Sequence, residues 1–330
     1  MDLERTQKNQ INVKRGFFNI IGISKLKYMA TLFSPFYKNT PCNVIKTIPA
    51  KLIIKGYKSK YNMDVSRFFE NSEIKVYQCP KSNYQFFHPY EIAGDNQFYQ
   101  EIQNIKDYYI PLKWEHHQTL KIIQNHSDTN LNILEIGSGS SGFIKHLNTK
   151  YNITGIELNT KEVSRAKEMG LNVLSETIEE HARKIQHQYD VICNFQVLEH
   201  IADVNSFLSS SIKALASNGL MCIGVPNNDS FIKDHNYNLL NMPPHHMGLW
   251  TPQALEHLQE VYDIKLVSID YEPLQIQHYG HYYNTKCENT FGEFIGKIIA
   301  KLSRPLAKKI ISSYAQNVIG ETVLATFQKK

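Results

Sequence analysis

The sequence predicts an α/β fold around a mostly parallel β-sheet, and three observations predict it. Between residues 131 and 227, short apolar runs of β type alternate with helical stretches, the pattern of repeated βαβ units. The first run, LEIGSGSSGF at 134–143, ends in a turn with Gly137, Gly139 and Gly142 at G-x-G-x-x-G spacing. Such a turn lets backbone approach a nucleotide-like ligand and aims the next helix N-terminus at it. After the fifth strand signal come two more strands but no second set of βαβ units, unlike a dinucleotide fold with mirrored halves.

The elements follow in order. Residues 1–60 mix apolar and basic side chains without a clean period, so no element is assigned there. EIKVYQC and YQFFHP, joined by PKSN, read as two short strands with a tight turn. Residues 95–123 carry helical spacing, with Phe98, Ile102, Ile105, Tyr108 and Tyr109 on one side and Pro111 as a break. NILEI (132–136) is a strand and SSGFIKHLN opens a helix; NITGI (152–156) is the second strand, followed by the helical TKEVSRAKEMG with Gly170 as its C-cap. NVL (172–174), YDVICNF (189–195) and MCIGV (221–225) are the third to fifth strands, the last following a helix expected to end at Asn218-Gly219. YDIKLVSIDY (262–271) and ETVLATFQ (321–328) are the late strands, separated by a basic helical insertion at about 284–316.

Composition is that of an ordinary globular chain, 42% hydrophobic and 20% charged. The net charge of +5 conceals an asymmetry: residues 1–60 hold twelve Lys/Arg against Asp2 and Glu4, a local +10 that leaves −5 for the rest. Five cysteines without a C-x-x-C pair make neither a disulfide framework nor a zinc site; Ser82 stands where Cys79 would need a second thiolate. No apolar run reaches the ~18 residues of a membrane span, and MDLE is a poor signal-peptide start, so a cytoplasmic protein is expected.

Two carboxylates bear on which cofactor the glycine turn serves. Glu135 lies two residues before Gly137, where a pyrophosphate would be repelled but an ammonium or sulfonium attracted. Glu157 in ITGIELN, 20 residues beyond Gly137, can accept both ribose hydroxyls of a nucleoside. The stretch LEIGSGSSGF…GIELN…LSETIEE…YDVICNFQVLEHIAD…SNGLMCIGVPN resembles the class I S-adenosylmethionine-dependent methyltransferases over residues 131–227. The flanks VYQCPKSNYQFFHP, FYQEIQNIKDYYIPLKWEH and MPPHHMGLWTPQAL resemble a bacterial subgroup often associated with sugar and cell-surface biosynthesis.

The resemblance implies a Rossmann-like seven-stranded sheet in the order 3-2-1-4-5-7-6, its seventh strand antiparallel. It implies a methyltransferase domain at 116–330, preceded at 1–115 by a basic arm, a hairpin and a helical lid region. By position it implies that Glu135, Gly137, Ser138, Gly139 and Gly142 surround the methionine part of S-adenosylmethionine and that Glu157 holds the ribose. Leu158, Glu176 and Thr177 would border the adenine, and Asn194, Phe195 and Gln196 would line the cofactor near the sulfonium.

Methyl transfer needs a positioned acceptor and, for a hydroxyl, amine or carbon nucleophile, a base. His200, in QVLEHIAD, and His245 and His246, in NMPPHHMGLW, are the candidate catalytic residues; His278 and His281 lie among tyrosines further on. Relatives with E-x-x-E-H at this place hold a divalent metal, but here Gln196 replaces the first acid, so no metal is expected. Tyr108, Tyr109 and Trp114 are either a lid over the cofactor or ordinary packing, with packing favoured. In 291–314, Phe294, Ile295, Ile298, Ile299 and Leu302 form one stripe beside Lys297, Lys301, Arg304, Lys308 and Lys309. That stripe is expected to pack on its own domain or on a second subunit as a homodimer, with contact to an anionic membrane as the alternative.

The expected function is methyl transfer from S-adenosylmethionine to a small-molecule or glycan-precursor acceptor, on oxygen, nitrogen or carbon. The rivals are an RNA or protein methyltransferase, a non-catalytic cofactor-binding protein and a nicotinamide-dependent oxidoreductase. No nucleic-acid partner is expected, because no RNA-binding module or stacking pattern accompanies the basic arm.

Overall fold

Two sheets account for the strands of the computed structural model, which describes residues 31–70, 73–105, 108–125, 130–234 and 238–330. Most of the basic arm, residues 1–30, lies outside the described residues. The first sheet begins with β1 (Asn43–Pro49), which leads into helix α1 (Ala50–Tyr61). It continues with β2 (Glu73–Gln78) and β3 (Gln85–His88), the expected hairpin, whose turn places Asn83 at φ 56°. Its fourth strand comes from far along the chain: β9 (Gly248–Leu249) pairs antiparallel with β3.

The helical pattern at 95–123 resolves into two helices, α2 (Asn96–Ile102) and α3 (Trp114–Gln124), with Asp95 capping the first. Tyr108 and Tyr109 belong to the non-helical connection, because Pro111 lacks an amide proton and disfavours a helical residue before it. Beyond α3 the strands and helices alternate as expected. They run β4 (Asn132–Ile136), α4 (Gly142–Leu147), β5 (Asn152–Ile156), α5 (Thr160–Glu168), β6 (Val173–Leu174), α6 (Ile178–Lys184) and β7 (Tyr189–Phe195). Then come α7 (Val204–Ala214), β8 (Leu215–Pro226), α8 (Pro252–Glu256), α9 (Leu258–Val261) and β10 (Ile264–Pro273). The chain closes with α10 (Tyr279–Phe291), α11 (Glu293–Ser312) and β11 (Ile319–Lys329). One boundary differs from expectation. The helix before β8 ends at Ala214 rather than at Asn218-Gly219, and those two residues turn within β8, with Asn218 at φ 61°.

The seven-stranded sheet has the order β10-β11-β8-β7-β4-β5-β6. Counted from β4 this is 3-2-1-4-5-7-6, and β11 runs antiparallel to both neighbours. Side chains alternate across it. Leu134, Ile192, Ile223 and Val323 enter one buried cluster, while Ile133, Val191, Cys222 and Leu324 enter the other on the opposite face. The first cluster also takes in Phe36, Tyr84 and Phe86, so the N-terminal hairpin shares a core with the sheet.

The stripe on α11 does not pack on its own domain. Its packed side is Gly296, Ala300, Ala307 and Ile311: a Cβ on Gly296 would lie 2.6 Å from the Cys287 carbonyl of α10, and Ala307 and Ile311 join a buried cluster with Phe231 and Leu274. Phe294 and Leu302 are each 78% exposed, and Ile295 and Ile298 are exposed beside them.

Candidate functional site

The glycine turn is shaped as much by this chain's own neighbours as by any ligand. Gly137 has φ +73°, and a Cβ there would lie 2.4 Å from Val197. Gly139 has φ +48°, and a Cβ there would lie 2.8 Å from the Tyr109 ring. Both positions therefore exclude a side chain on conformation and on space. Tyr109 thus rests against the turn, while Trp114 packs with the second core cluster away from it. Of the three aromatic lid candidates, Tyr108 and Tyr109 border the site and Trp114 is ordinary packing.

Around that turn is a cavity of about 480 Å³, within the range of small-molecule and cofactor sites. Glu135, Gly137, Ser138, Gly139 and Gly142 line it from β4, the turn and α4, and Glu157 and Leu158 from the end of β5. Glu176 and Thr177 line it before α6, and Phe195 and Gln196 at the end of β7. Asn194 does not line it. The alternation of β7 turns its side chain the other way, where it is fully buried with neither amide atom hydrogen-bonded.

Each carboxylate has a distinct environment. Glu157 is gripped by backbone, its Oε2 accepting from Gly139 N–H and its Oε1 from Asn159 N–H, both at 2.8 Å. Burial nevertheless keeps its carboxyl above the ordinary range. Glu135 is 3% exposed with Oε2 unpartnered, and burial, then the Glu157 charge, pushes its carboxyl well above the ordinary value. Glu176 is already engaged by His181 at 2.6 Å and by Lys184. Thr177 caps α6, accepting from Glu180 N–H at 3.2 Å.

The three histidine candidates line the same cavity, although 45 residues separate His200 from His245. His200 follows β7 in a single helical turn, and Gln196 before it adopts φ 57°, a strained conformation for a non-glycine residue. The 245–246 loop is held from three directions. Met247 N–H donates to the Glu199 carbonyl at 2.7 Å, Phe87 N–H donates to the Met247 carbonyl at 2.9 Å, and β9 pairs with β3. The N-terminal hairpin therefore positions two of the candidate catalytic residues.

The tautomers follow from the acceptors. His200 Nδ1 donates to the His245 carbonyl at 2.6 Å, and His245 Nδ1 donates to the Leu240 carbonyl at 2.8 Å. Asn228 Nδ2 lies 3.2 Å from two backbone carbonyls, so its Oδ1 accepts from Asn241 Nδ2 at 2.7 Å. That turns Asn241 Oδ1 toward His246 Nδ1 at 2.9 Å. All three rings thus carry the proton on Nδ1 and present Nε2 as an acceptor. Burial lowers His200 to about 4 and pushes His245 and His246 well below the ordinary value, so all three are neutral at pH 7.

Sequence reasoning missed Tyr99, Lys113 and His116 as cavity residues, and Glu199, which also lines the cavity, entered it only as an acid of the E-x-x-E-H pattern. Tyr99 donates to the His245 carbonyl at 3.2 Å, and His116 Nδ1 accepts Lys113 N–H at 2.7 Å. Only Glu199 left a signal, as the acid beside His200 in the E-H pair. His278 and His281 lie elsewhere, paired with Glu321 at 3.3 and 2.7 Å.

Residues 112–269 match the family model described as a methyltransferase domain. Among curated proteins, the ubiquinone biosynthesis O-methyltransferase of Citrobacter koseri is 30% identical over 94 residues, covering 26% of this chain and 39% of that protein. The enzyme of the same name from Rickettsia canadensis is 30% identical over 115 residues, covering 32% of this chain and 48% of that protein. The chain thus spans less than half the length of these relatives. A solved SAM-dependent methyltransferase from Archaeoglobus fulgidus aligns over 65% of this chain and 92% of its own, with 16% identity and a TM-score of 0.44. Residues 112–269 therefore resemble a methyltransferase domain, and the strand order and the glycine turn with its two carboxylates agree with that match.

Proposed function

We propose that this protein transfers a methyl group from S-adenosylmethionine to an oxygen of a small-molecule or glycan-precursor acceptor. The observation that supports this most is one cavity lined both by the glycine turn with Glu157 and by three neutral histidines. Oxygen is preferred as the accepting atom because the curated relatives are named as O-methyltransferases.

The residues present suit the cofactor. Two glycines that admit no Cβ, an unpartnered Glu135 oxygen and a backbone-held Glu157 form a cradle for a cationic nucleoside. Glu157 would hold the ribose and Glu135 the methionine end, with Leu158, Glu176 and Thr177 at the adenine and Phe195 and Gln196 near the sulfonium. When bound, S-adenosylmethionine supplies a methyl group already activated by its positive sulfur. The chain's own work is to place the acceptor, exclude water and take a proton. Tyr108 donates to His245 Nε2 at 3.0 Å, and burial keeps its phenol well above the ordinary value. A hydroxyl acceptor that gives its proton to the Tyr108 oxygen would therefore pass the phenol proton on to His245. His200 and His246, with free Nε2 lone pairs, orient the same group.

The test uses S-adenosylmethionine labelled on the methyl, incubated with the full chain and a fractionated cell extract, with Glu157→Ala as control. Label in a small-molecule or glycan fraction, lost in the variant, is the expected result. Label in RNA or protein would overturn the acceptor class, and no label in any fraction despite cofactor binding would favour a non-catalytic protein.

A second reading concerns where the protein works. The exposed apolar stripe of α11 is bordered by Lys301, Arg304 and Lys308, a combination suited to the interface of an anionic membrane. No helix among the described residues is long and apolar enough to cross a membrane, so the contact would be peripheral.

A further inference from the structure

At sequence level the five cysteines form no disulfide framework, but the N-terminal sheet brings two of them face to face. Asn43 pairs with Gln78 and Val44 with Tyr77 between β1 and β2, so one step back along the same register sets Cys42 opposite Cys79. The backbone shows which kind of pair this is. Cys79 N–H donates to the Tyr84 carbonyl at 2.9 Å and its carbonyl accepts from Asn83 N–H at 2.9 Å, both toward the turn that enters β3. Cys42 N–H donates to the Leu32 carbonyl at 2.8 Å, away from β2. These groups are not directed at the opposite cysteine, so the two residues stand as a non-hydrogen-bonded pair, with Cα atoms about 4.5 Å apart and side chains on one face.

A disulfide needs Cα atoms about 4.4–6.8 Å apart, and a pair of this kind falls at the short end of that range. The two sulfurs are also hydrogen-bonded. The Cys42 thiol donates to Cys79, which holds the Cys79 thiol well below its ordinary value and pushes that of Cys42 up. The Ser34 and Ser82 hydroxyls support the Cys79 sulfur against its burial. Cys42 is only half-buried, so a small reagent reaches the pair from its side. Cys193 and Cys222 provide a contrast. They are register partners on β7 and β8, but both are fully buried and burial pushes both thiols up, which leaves them inert.

We infer that Cys42 and Cys79 are a reversible dithiol–disulfide pair, oxidised by a small external disulfide to a covalent bridge between β1 and β2. The Cys42 sulfur attacks one sulfur of the reagent as its proton passes along the hydrogen bond to Cys79. The reagent's S–S bond breaks, and the thiolate released takes that proton from Cys79. The Cys79 thiolate then attacks the Cys42 sulfur, and the second half of the reagent leaves as a thiolate. Two electrons thus move from the two protein sulfurs to the reagent. The bridge falls at the root of the site's scaffold. Cys79 holds the turn into β3, and β3 pairs with β9 at the end of the His245–His246 loop. It also closes a stretch of chain that contains α1, which restricts the unfolded state. None of this rests on the proposed methyl transfer.

The test equilibrates the full chain with reduced and oxidised glutathione over a series of ratios, blocks the remaining free thiols and maps the peptides by mass spectrometry. The expected result is a peptide linked through Cys42 and Cys79 that forms on the native chain and disappears with dithiothreitol. The bridged chain should melt roughly 5 °C higher than the reduced one. Cys42→Ser should remove both the link and the rise, and its own cooperative melt shows that it folds. Recovery of Cys42 and Cys79 as free or glutathione-capped thiols at every ratio, on folded parent protein, would overturn the inference. A Cys193–Cys222 link in place of the expected one would overturn it too.

Discussion

Two acids of the glycine turn do different work, and each gives a separate prediction. Glu157 is pre-aligned by two backbone N–H groups, so its remaining lone pairs face the cavity at no further ordering cost. Glu157→Ala should weaken S-adenosylhomocysteine binding at least tenfold, since a hydrogen bond to a charged group contributes about 1.5–3 kcal/mol; calorimetry checks it. Glu135 is held well above the ordinary carboxyl value, first by burial and then by the charge of Glu157. A cation bound beside it lowers that value, so binding should release a proton and affinity should rise with pH toward the raised value. Calorimetry in two buffers of different ionisation enthalpy reads the proton directly. Glu135→Gln should remove it.

The segment between α2 and α3 is fitted to the start of α4 with no room to spare. A Cβ on Gly142 would lie 2.2 Å from the Pro111 carbonyl oxygen, a clash with backbone that no rotamer relieves. Gly142→Ala should therefore displace the Tyr108–Pro111 connection and lower both stability and cofactor affinity, the second read by calorimetry on protein that still melts cooperatively. Helix α11 supports a different kind of prediction. If its exposed stripe rests on anionic lipid, the full chain should co-sediment with vesicles containing phosphatidylglycerol and not with pure phosphatidylcholine. Phe294→Glu with Leu302→Glu should release it while leaving the melting temperature unchanged, because neither side chain is packed. Dimerisation that disappears in the same double variant, without vesicle binding, would assign the stripe to a second subunit instead.

At the scale of the molecule, the N-terminal hairpin is part of the site's scaffold. Residues 32–330 form one compact unit, and Trp250 is fully buried where the two sheets meet, its ring 4.3 Å from that of Tyr84 and 6.2 Å from that of Phe36. Trp250→Ala should cost about 3–5 kcal/mol and loosen the His245–His246 loop that ends at β9. Because the hairpin and the large sheet share buried residues, heat or denaturant should unfold the described unit in one transition by fluorescence and by circular dichroism. Two separated transitions would show that the hairpin folds independently.

The order of the seven strands followed only from the resemblance, but the strands themselves and the glycine turn with Glu135 and Glu157 were readable in the sequence. Their signals are local: β-branched runs, a fixed glycine spacing, and acids at set offsets from the turn. Boundaries failed where backbone geometry overrode the pattern, as at Asn218, whose left-handed φ lets β8 begin earlier than its apolar run suggests. The exclusion of Asn194 from the cavity was in principle readable from strand alternation, but only once the face carrying the site was known. Sequence reasoning grouped the three histidines as candidates, but tertiary structure decided how they meet. His200 and His246 meet Glu199 because a two-residue strand pairs with a hairpin more than 150 residues earlier in the chain, and nothing in the local sequence of either segment encodes that pairing. The tautomers are equally non-local, since the Asn228–Asn241 hydrogen bonds that direct His246 exist only when the end of β8 and the loop are folded together.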